Sequence, residues 1–235
     1  MKIQYFISFI KVIFLIVFIY ECKKDSQTTE PTTVTDIDGN IYNTIKLGKQ
    51  LWMKENLKVK HYNNGDSILT TIPDTLDIAN EIKPKYQWFY NSDENNLKNY
   101  GRLYTWYTVT DSRNLCPVGW HMPSIAEWDT LIEYLGSWTA AGAKLKEPGI
   151  IHWEDPNVTF NTTGFDALPG GEHSRSGGNN FISNQLHTEG AWWTSTASKF
   201  DSLNAKYELI NNSRSTIEDF EHEKNAGYSV RCVRN

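Results

Sequence analysis

Beyond residue 32 the apolar positions fall into short alternating runs separated by polar, turn-rich stretches, which is the pattern of small antiparallel strands. Residues 33–37 (TVTDI) and 41–47, where Ile41, Asn43, Ile45 and Leu47 alternate, flank the turn dipeptide Asp38-Gly39 and predict a hairpin. Gly48-Lys49 then turns the chain into residues 50–53, so a small meander opens the domain. Residues 61–85 read as a polar excursion punctuated by Asn64-Gly65, Pro73 and Pro84, residues 86–90 (YQWFY) as a strand, and residues 91–99 as a loop rich in Asx-turn formers. Leu103, Trp106 and Tyr107 stand at helical spacing and predict a short helix within residues 100–110.

The clearest element lies at residues 125–135. Pro123 forces an extended residue before it, and Ser124 with Glu127 makes the S-x-x-E capping box. Ile125, Trp128, Leu131, Ile132 and Leu135 then share one face, and Gly136 occupies the position of a C-terminal cap. Farther on, the pattern predicts short strands at 165–168, 191–195, 205–210 and 228–233. It reads residues 211–227, with Glu218, Asp219, Glu221 and Glu223, as a solvated loop.

Residues 1–20 are of another kind: a cationic start at Lys2, then apolar residues interrupted by Lys11, then an unbroken apolar run over 12–20. Nine residues are too few for a permanent span, which needs about 20, but they suit the apolar centre of a signal peptide. Cys22 follows, and then the polar stretch KKDSQTTEP. This order resembles a bacterial lipoprotein precursor, cleaved before Cys22 and acylated on it, although Glu21 stands where such signals usually carry a small residue. The alternative is a retained anchor helix over 3–20, which would hold Lys11 near mid-membrane at a cost of about 2.5 to 3.5 kcal/mol. Either reading exports the bulk of the chain. The expected organisation is a signal peptide at 1–21, a tether at 22–32 and one domain at 33–235. With Cys22 lipidated, an oxidising compartment makes a bridge between Cys116 and Cys232 the default.

At 235 residues, 39% hydrophobic and 22% charged, the chain is large enough for a core and too polar for a polytopic membrane protein. Loss of Lys2, Lys11 and Glu21 with the leader leaves 21 basic and 27 acidic residues, so nucleic acid is excluded as an expected partner.

Seven motifs run in one order along the exported part: D-I-D-G-N-I-Y (36–42), W-M-K-E-N-L (52–57), Y-G-R-L-Y-T-W-Y (100–107), L-C-P-V-G-W-H-M-P-S-x-x-E-W (115–128), G-F-D-A-L-P-G-G (164–171), W-W-T-S-T (192–196) and S-V-R-C-V-R (229–234). Together they resemble the Fibrobacter succinogenes major paralogous domain family of exported and lipid-anchored bacterial proteins. The resemblance implies an α+β, C-type lectin-like architecture, with about two helices around short irregular antiparallel sheets and long loops. In such a fold a cysteine near a helix commonly bridges to the last strand, in agreement with Cys116 and Cys232. It also implies an outer-membrane, surface-exposed location, but no reaction.

The chemistry-bearing residues point to binding rather than catalysis. Trp138, Trp153, Trp192 and Trp193 are the expected surface platforms for sugar rings, since a flat apolar face with a polar edge suits an amphipathic ligand. Trp106, Trp120 and Trp128 are expected in the core. The six histidines lack metal-ligand spacing, so neither metal nor cofactor is expected. Asp155-Pro156-Asn157, behind Glu147-Pro148, reads as a proline-centred turn, although lectins place calcium ligands beside such a proline. Glu172-His173-Ser174 sets an acid, a base and a hydroxyl side by side, but adjacent residues point different ways and G-x-S-x-G is missing. The expected function is therefore a non-catalytic, lipid-anchored envelope protein that binds an extracellular glycan or another envelope protein. The alternatives are an enzyme resembling the formylglycine-generating and sulfatase-modifying proteins, whose oxidase chemistry needs reactive cysteines, and a structural envelope role.

Overall fold

The computed structural model describes residues 30–175 and 181–235, so the leader, Cys22 and most of the tether lie outside the described residues. In chain order the elements are β1 (Thr33–Thr35), β2 (Ile41–Leu47), β3 (Gln50–Met53), β4 (Gln87–Trp88), α1 (Glu94–Tyr100), β5 (Leu103–Thr105), α2 (Trp106–Val109), β6 (Trp120–His121) and α3 (Ile125–Tyr134). There follow α4 (Trp138–Leu145), β7 (Glu172–Arg175), β8 (Phe181–Asn184), β9 (Glu189–Ala197), β10 (Asn204–Asn211), β11 (Ile217–Glu223), β12 (Gly227–Tyr228) and β13 (Val233–Arg234). The chain is α+β, with its strands in three antiparallel sheets ordered β1-β2-β3-β13-β6, β11-β10-β9 and β4-β5-β12-β7-β8. Among the described residues no helix is long and apolar enough to cross a membrane.

The opening meander forms as its pattern dictates, with Thr35 opposite Ile41 and Leu47 opposite Gln50. Asp36 fixes the first turn: one carboxylate oxygen accepts from the backbone N–H groups of Asp38 and Asn40, and the other from the Tyr42 hydroxyl. Helix α3 starts at the expected capping box, and His121 braces it by contacting Glu127 Oε1 at 2.6 Å.

Several expectations need correction: among the described residues there are four α-helices where about two were expected, and at 165–168 no strand forms, only an isolated bridge between Ala167 and Lys146. The helix expected within 100–110 is a single turn at α2, because Leu103 and Tyr104 enter a strand paired with β4 and β12. The stretch read as a loop at 91–99 holds α1, capped by Asp93, whose side chain accepts from the Asn95 N–H. The stretch read as a solvated loop at 211–227 holds β11, paired along its length with β10. Helix α4 was also not expected. It lies against the chain before β11, with Ala143 N donating to Ser215 O, and Gly142 leaves no room between them: a Cβ there would stand 2.0 Å from Thr216 O.

Two buried clusters flank β9. One gathers Tyr42, Met53, Leu57, Tyr104, Trp193 and Tyr228 with the Cys116–Cys232 disulfide, and the other gathers Trp52, Trp128, Leu131, Phe165, Trp192, Ile210 and Ile217. Because successive strand residues face opposite ways, the adjacent Trp192 and Trp193 enter different clusters. The disulfide spans 116 residues of chain and ties the segment before β6 to the approach to β13.

Between the clusters lies a polar knot made from the sequence motifs. Asn56 accepts from Trp192 Nε1 (2.9 Å) and Arg231 Nε (3.3 Å) and donates to Tyr100 O (2.9 Å). Arg231, fully buried, also donates to the carbonyls of Phe165 and Asp166 and stacks 4.2 Å from the Phe165 ring. Burial pushes its guanidinium down to about 9. Five separated motifs thus meet at one place, and what they specify there is the fold.

Candidate functional site

A groove of about 600 Å³ opens between the third turn of α3, the start of α4 and the outer part of the β10–β11 ladder. Its walls carry Asp129, Ile132 and Glu133 from α3 and Trp138 from α4; its floor carries Glu208, Ile217 and Asp219. Trp138, the first residue of α4, is 56% exposed, so its indole face is open to solvent. Phe220 also borders the groove, but it is the ladder partner of Tyr207 and their rings lie 6.0 Å apart, on the sheet face opposite Glu208.

Glu208 is the unusual member. It is 1% exposed, and its Oε2 has no hydrogen-bond partner. Asp219 stands directly across the ladder, and like charges so placed repel. Burial first, then the charges of Asp219 and Asp129, push the Glu208 carboxyl up to about 8, with Lys206 opposing them. Glu208 therefore carries a proton at neutral pH and can donate where its neighbours can only accept. Asp219 pairs with Lys206 Nζ at 2.6 Å. Asp129 is raised by burial and by the charges of Asp219 and Glu133. The groove thus combines a flat aromatic face, acceptor carboxylates and one protonated acid.

Of the four expected platforms, Trp138 is exposed and lines this groove. Trp153, Trp192 and Trp193 are 1%, 0% and 0% exposed, which corrects their expected placement at the surface. Each indole N–H is satisfied internally, by Ala167 O, Asn56 Oδ1 and Tyr104 O. The reason lies in β9, covered on both faces, and in the 146–167 segment, which turns Trp153 inward to donate to Ala167 O with the Lys146 ammonium 5.4 Å from its ring. Trp128 and Trp120 are buried as expected, and Trp106 is half-buried. Cys22 lies outside the described residues.

The other candidates are used structurally. Asn157 donates to the carbonyls of Glu147 and Gly149, and Glu147 contacts His152 Nδ1 at 2.7 Å. Along β7 the side chains alternate: Ser174 donates to Glu172, while His173 turns away and stacks on Trp88 at 4.2 Å between ring centres. Burial pushes His173 down to about 4, and no acid–base–hydroxyl relay forms. Among the described residues no three His, Cys, Asp or Glu side chains converge as metal ligands.

The groove carboxylates were not singled out from the sequence. Asp219 was seen only as part of an acidic stretch, and Glu208 lay within an expected strand. The available signal was that Lys206 and Glu208 share a face with Ile210, a mixed pattern that marks a partly covered strand face.

No curated protein and no solved structure matches the chain. Residues 45–234 match the model of the Fibrobacter succinogenes major domain, which covers the disulfide, the polar knot and the groove, and the chain belongs to that family.

Proposed function

We propose that this is a lipid-anchored protein of the bacterial cell envelope, exposed at the outer membrane through an acylated Cys22. Its domain is C-type lectin-like and non-catalytic, and it binds an extracellular glycan in the Trp138 groove. The observation that carries the reading is an open indole beside carboxylates of both protonation states. A sugar's C–H face stacks on Trp138, its hydroxyls donate to Asp129, Glu133 and Asp219, and protonated Glu208 supplies a donor.

The leader's cationic, apolar and cysteine order supports the anchor. The family match, the late-strand cysteine bridge and the irregular antiparallel sheets support the lectin-like architecture. The bridge also favours binding over oxidase chemistry, because it removes Cys116 and Cys232 as reactive thiols.

A glycan array probed with the full chain and with Trp138→Ala tests this reading. We expect a defined subset of neutral or amino glycans to bind the parent, with at least tenfold weaker binding by the variant. That loss equals about 1.4 kcal/mol, within the range for a stacking tryptophan. Absence of neutral and amino glycan binding across the array, or equal binding of those glycans by both proteins, contradicts it.

A further inference from the structure

A second cleft, of about 720 Å³, lies at the turn end of the β1–β2 hairpin, where that turn meets the 58–61 segment and α1. Lys58, Lys60, Lys98 and Arg102 converge on it, with Asp38, Asn40, His61, Glu94 and Leu97 completing the lining. Among the described residues none of these four cations forms an ion pair, although the chain as a whole is acidic. We infer that this cleft is a binding site for the anionic group of an acidic saccharide, a sugar bearing carboxylate, sulfate or phosphate.

The site is built rather than a chance meeting of loose lysines. Arg102 is only 9% exposed; its Nε donates to Lys58 O at 2.8 Å and its Nη1 to Gln87 Oε1 at 2.6 Å. Gly101 lets α1 end hard against the 56–58 segment: its φ is +77°, and a Cβ there would stand 2.8 Å from Leu57 O. The Asp38 carboxylate takes the Lys60 N–H at 2.6 Å and contacts His61 Nδ1, so this acid holds the backbone of the cationic segment and forms no direct ion pair with the lysines; the four cations outnumber the two acids of the lining. The Tyr42 hydroxyl accepts from Lys58 N at 2.9 Å. Burial, together with the charge of Lys98, pushes the Lys58 ammonium below its ordinary value, against the pull of Glu55 and Asp36. Gathered cations that repel one another and lack ion-pair partners are the usual trade of stability for binding.

The lining chooses among anions. Its one aromatic ring, the His61 imidazole, is held against Asp38, and Leu97 is its one apolar side chain, so a run of stacked bases and an apolar peptide anchor are poorly served. Glu94 and the Asn40 amide can meet hydroxyls beside the anionic group, as a sugar requires.

The test is a titration of the full chain, at constant ionic strength, with oligogalacturonate, a sulfated oligosaccharide and a phosphorylated one. A neutral oligosaccharide of equal length and phosphatidylglycerol vesicles form separate arms. We expect at least one acidic saccharide to bind, at least tenfold weaker binding by Lys60→Gln/Lys98→Gln, and binding within twofold of the parent for Lys46→Gln/Lys49→Gln, which carries the same charge change elsewhere. The single Lys98→Gln variant should weaken binding with no fall in melting temperature. Trp138→Ala should leave it unchanged, which separates this site from the groove. Failure of every acidic saccharide, equal binding of the neutral one, unchanged affinity in both cleft variants, or binding to vesicles alone overturns the inference.

Discussion

Replacing Glu208 by glutamine should remove a pH dependence that the groove builds into the stability of the domain. In the folded chain Glu208 holds its proton up to about 8, whereas an unfolded glutamate releases it near its ordinary 4.5. Between these values the native state binds more protons than the unfolded one, so stability falls as pH rises through the interval. The displacement corresponds to at most about 5 kcal/mol lost between pH 4 and pH 9. Glutamine keeps the shape and the donor but cannot ionise beside Asp219 and Asp129. Urea unfolding of parent and Glu208→Gln at pH 5, 7 and 9 should therefore give similar stabilities at pH 5 and a variant that is increasingly the more stable towards pH 9. Parallel profiles would refute the reasoning, because Glu208 would then have to be ionised or solvated in the folded chain. The comparison isolates this residue from His173, whose effect runs the other way at lower pH.

Several further outcomes follow from the same structure. His173, pushed down from 6.5 to about 4 by burial, should cost about 3 kcal/mol of stability as pH falls through that interval, and His173→Phe should flatten this acid limb in urea titrations. Asn56→Ala leaves the buried Arg231 guanidinium and the Trp192 indole short of an acceptor, and should cost about 3 kcal/mol or more by calorimetry. Gly142→Ala places a methyl on Thr216 O and should destabilise by about 3 kcal/mol while loosening α4 and weakening any ligand at Trp138. Removing the disulfide with Cys116→Ala/Cys232→Ala releases a loop of more than a hundred residues, which the chain-entropy model values at about 4 to 5 kcal/mol. Stability unchanged by that double variant would count against the bridge in the isolated protein.

What was legible in the sequence was local. The meander followed from Asp38-Gly39 and Gly48-Lys49, and α3 from Ser124, Glu127 and Gly136, because turn and cap chemistry acts within a few residues. Missed elements depended on partners far along the chain. Helix α4 has a cap position, Ser137, whose side chain accepts no bond from the helix, and it lies where it does because Gly142 fits the backbone before β11. Strand β11 is polar throughout most of its length and is held by the ladder to β10, which no local pattern announces. The expected final strand at 228–233 is split between β12 and β13 in two different sheets, a division that only tertiary pairing makes.

The candidate site was legible in one residue of four. Composition could nominate tryptophans, but it could not separate Trp138, at the exposed start of a helix, from Trp192 and Trp193, which a doubly covered strand sends into two cores. The motif residues Asn56, Arg231 and Trp192 satisfy one another in a buried knot, and the open chemistry lies outside the motifs at Trp138, Glu208 and Asp219.

The most direct test of the account is fluorine NMR on the full chain carrying 5-fluorotryptophan, with resonances assigned by single Trp→Phe variants and titrated with glycans that bind on the array. The account predicts that the Trp138 line shifts saturably while those of Trp153, Trp192 and Trp193 stay in place. A saturable shift of the core lines with Trp138 unmoved would contradict it.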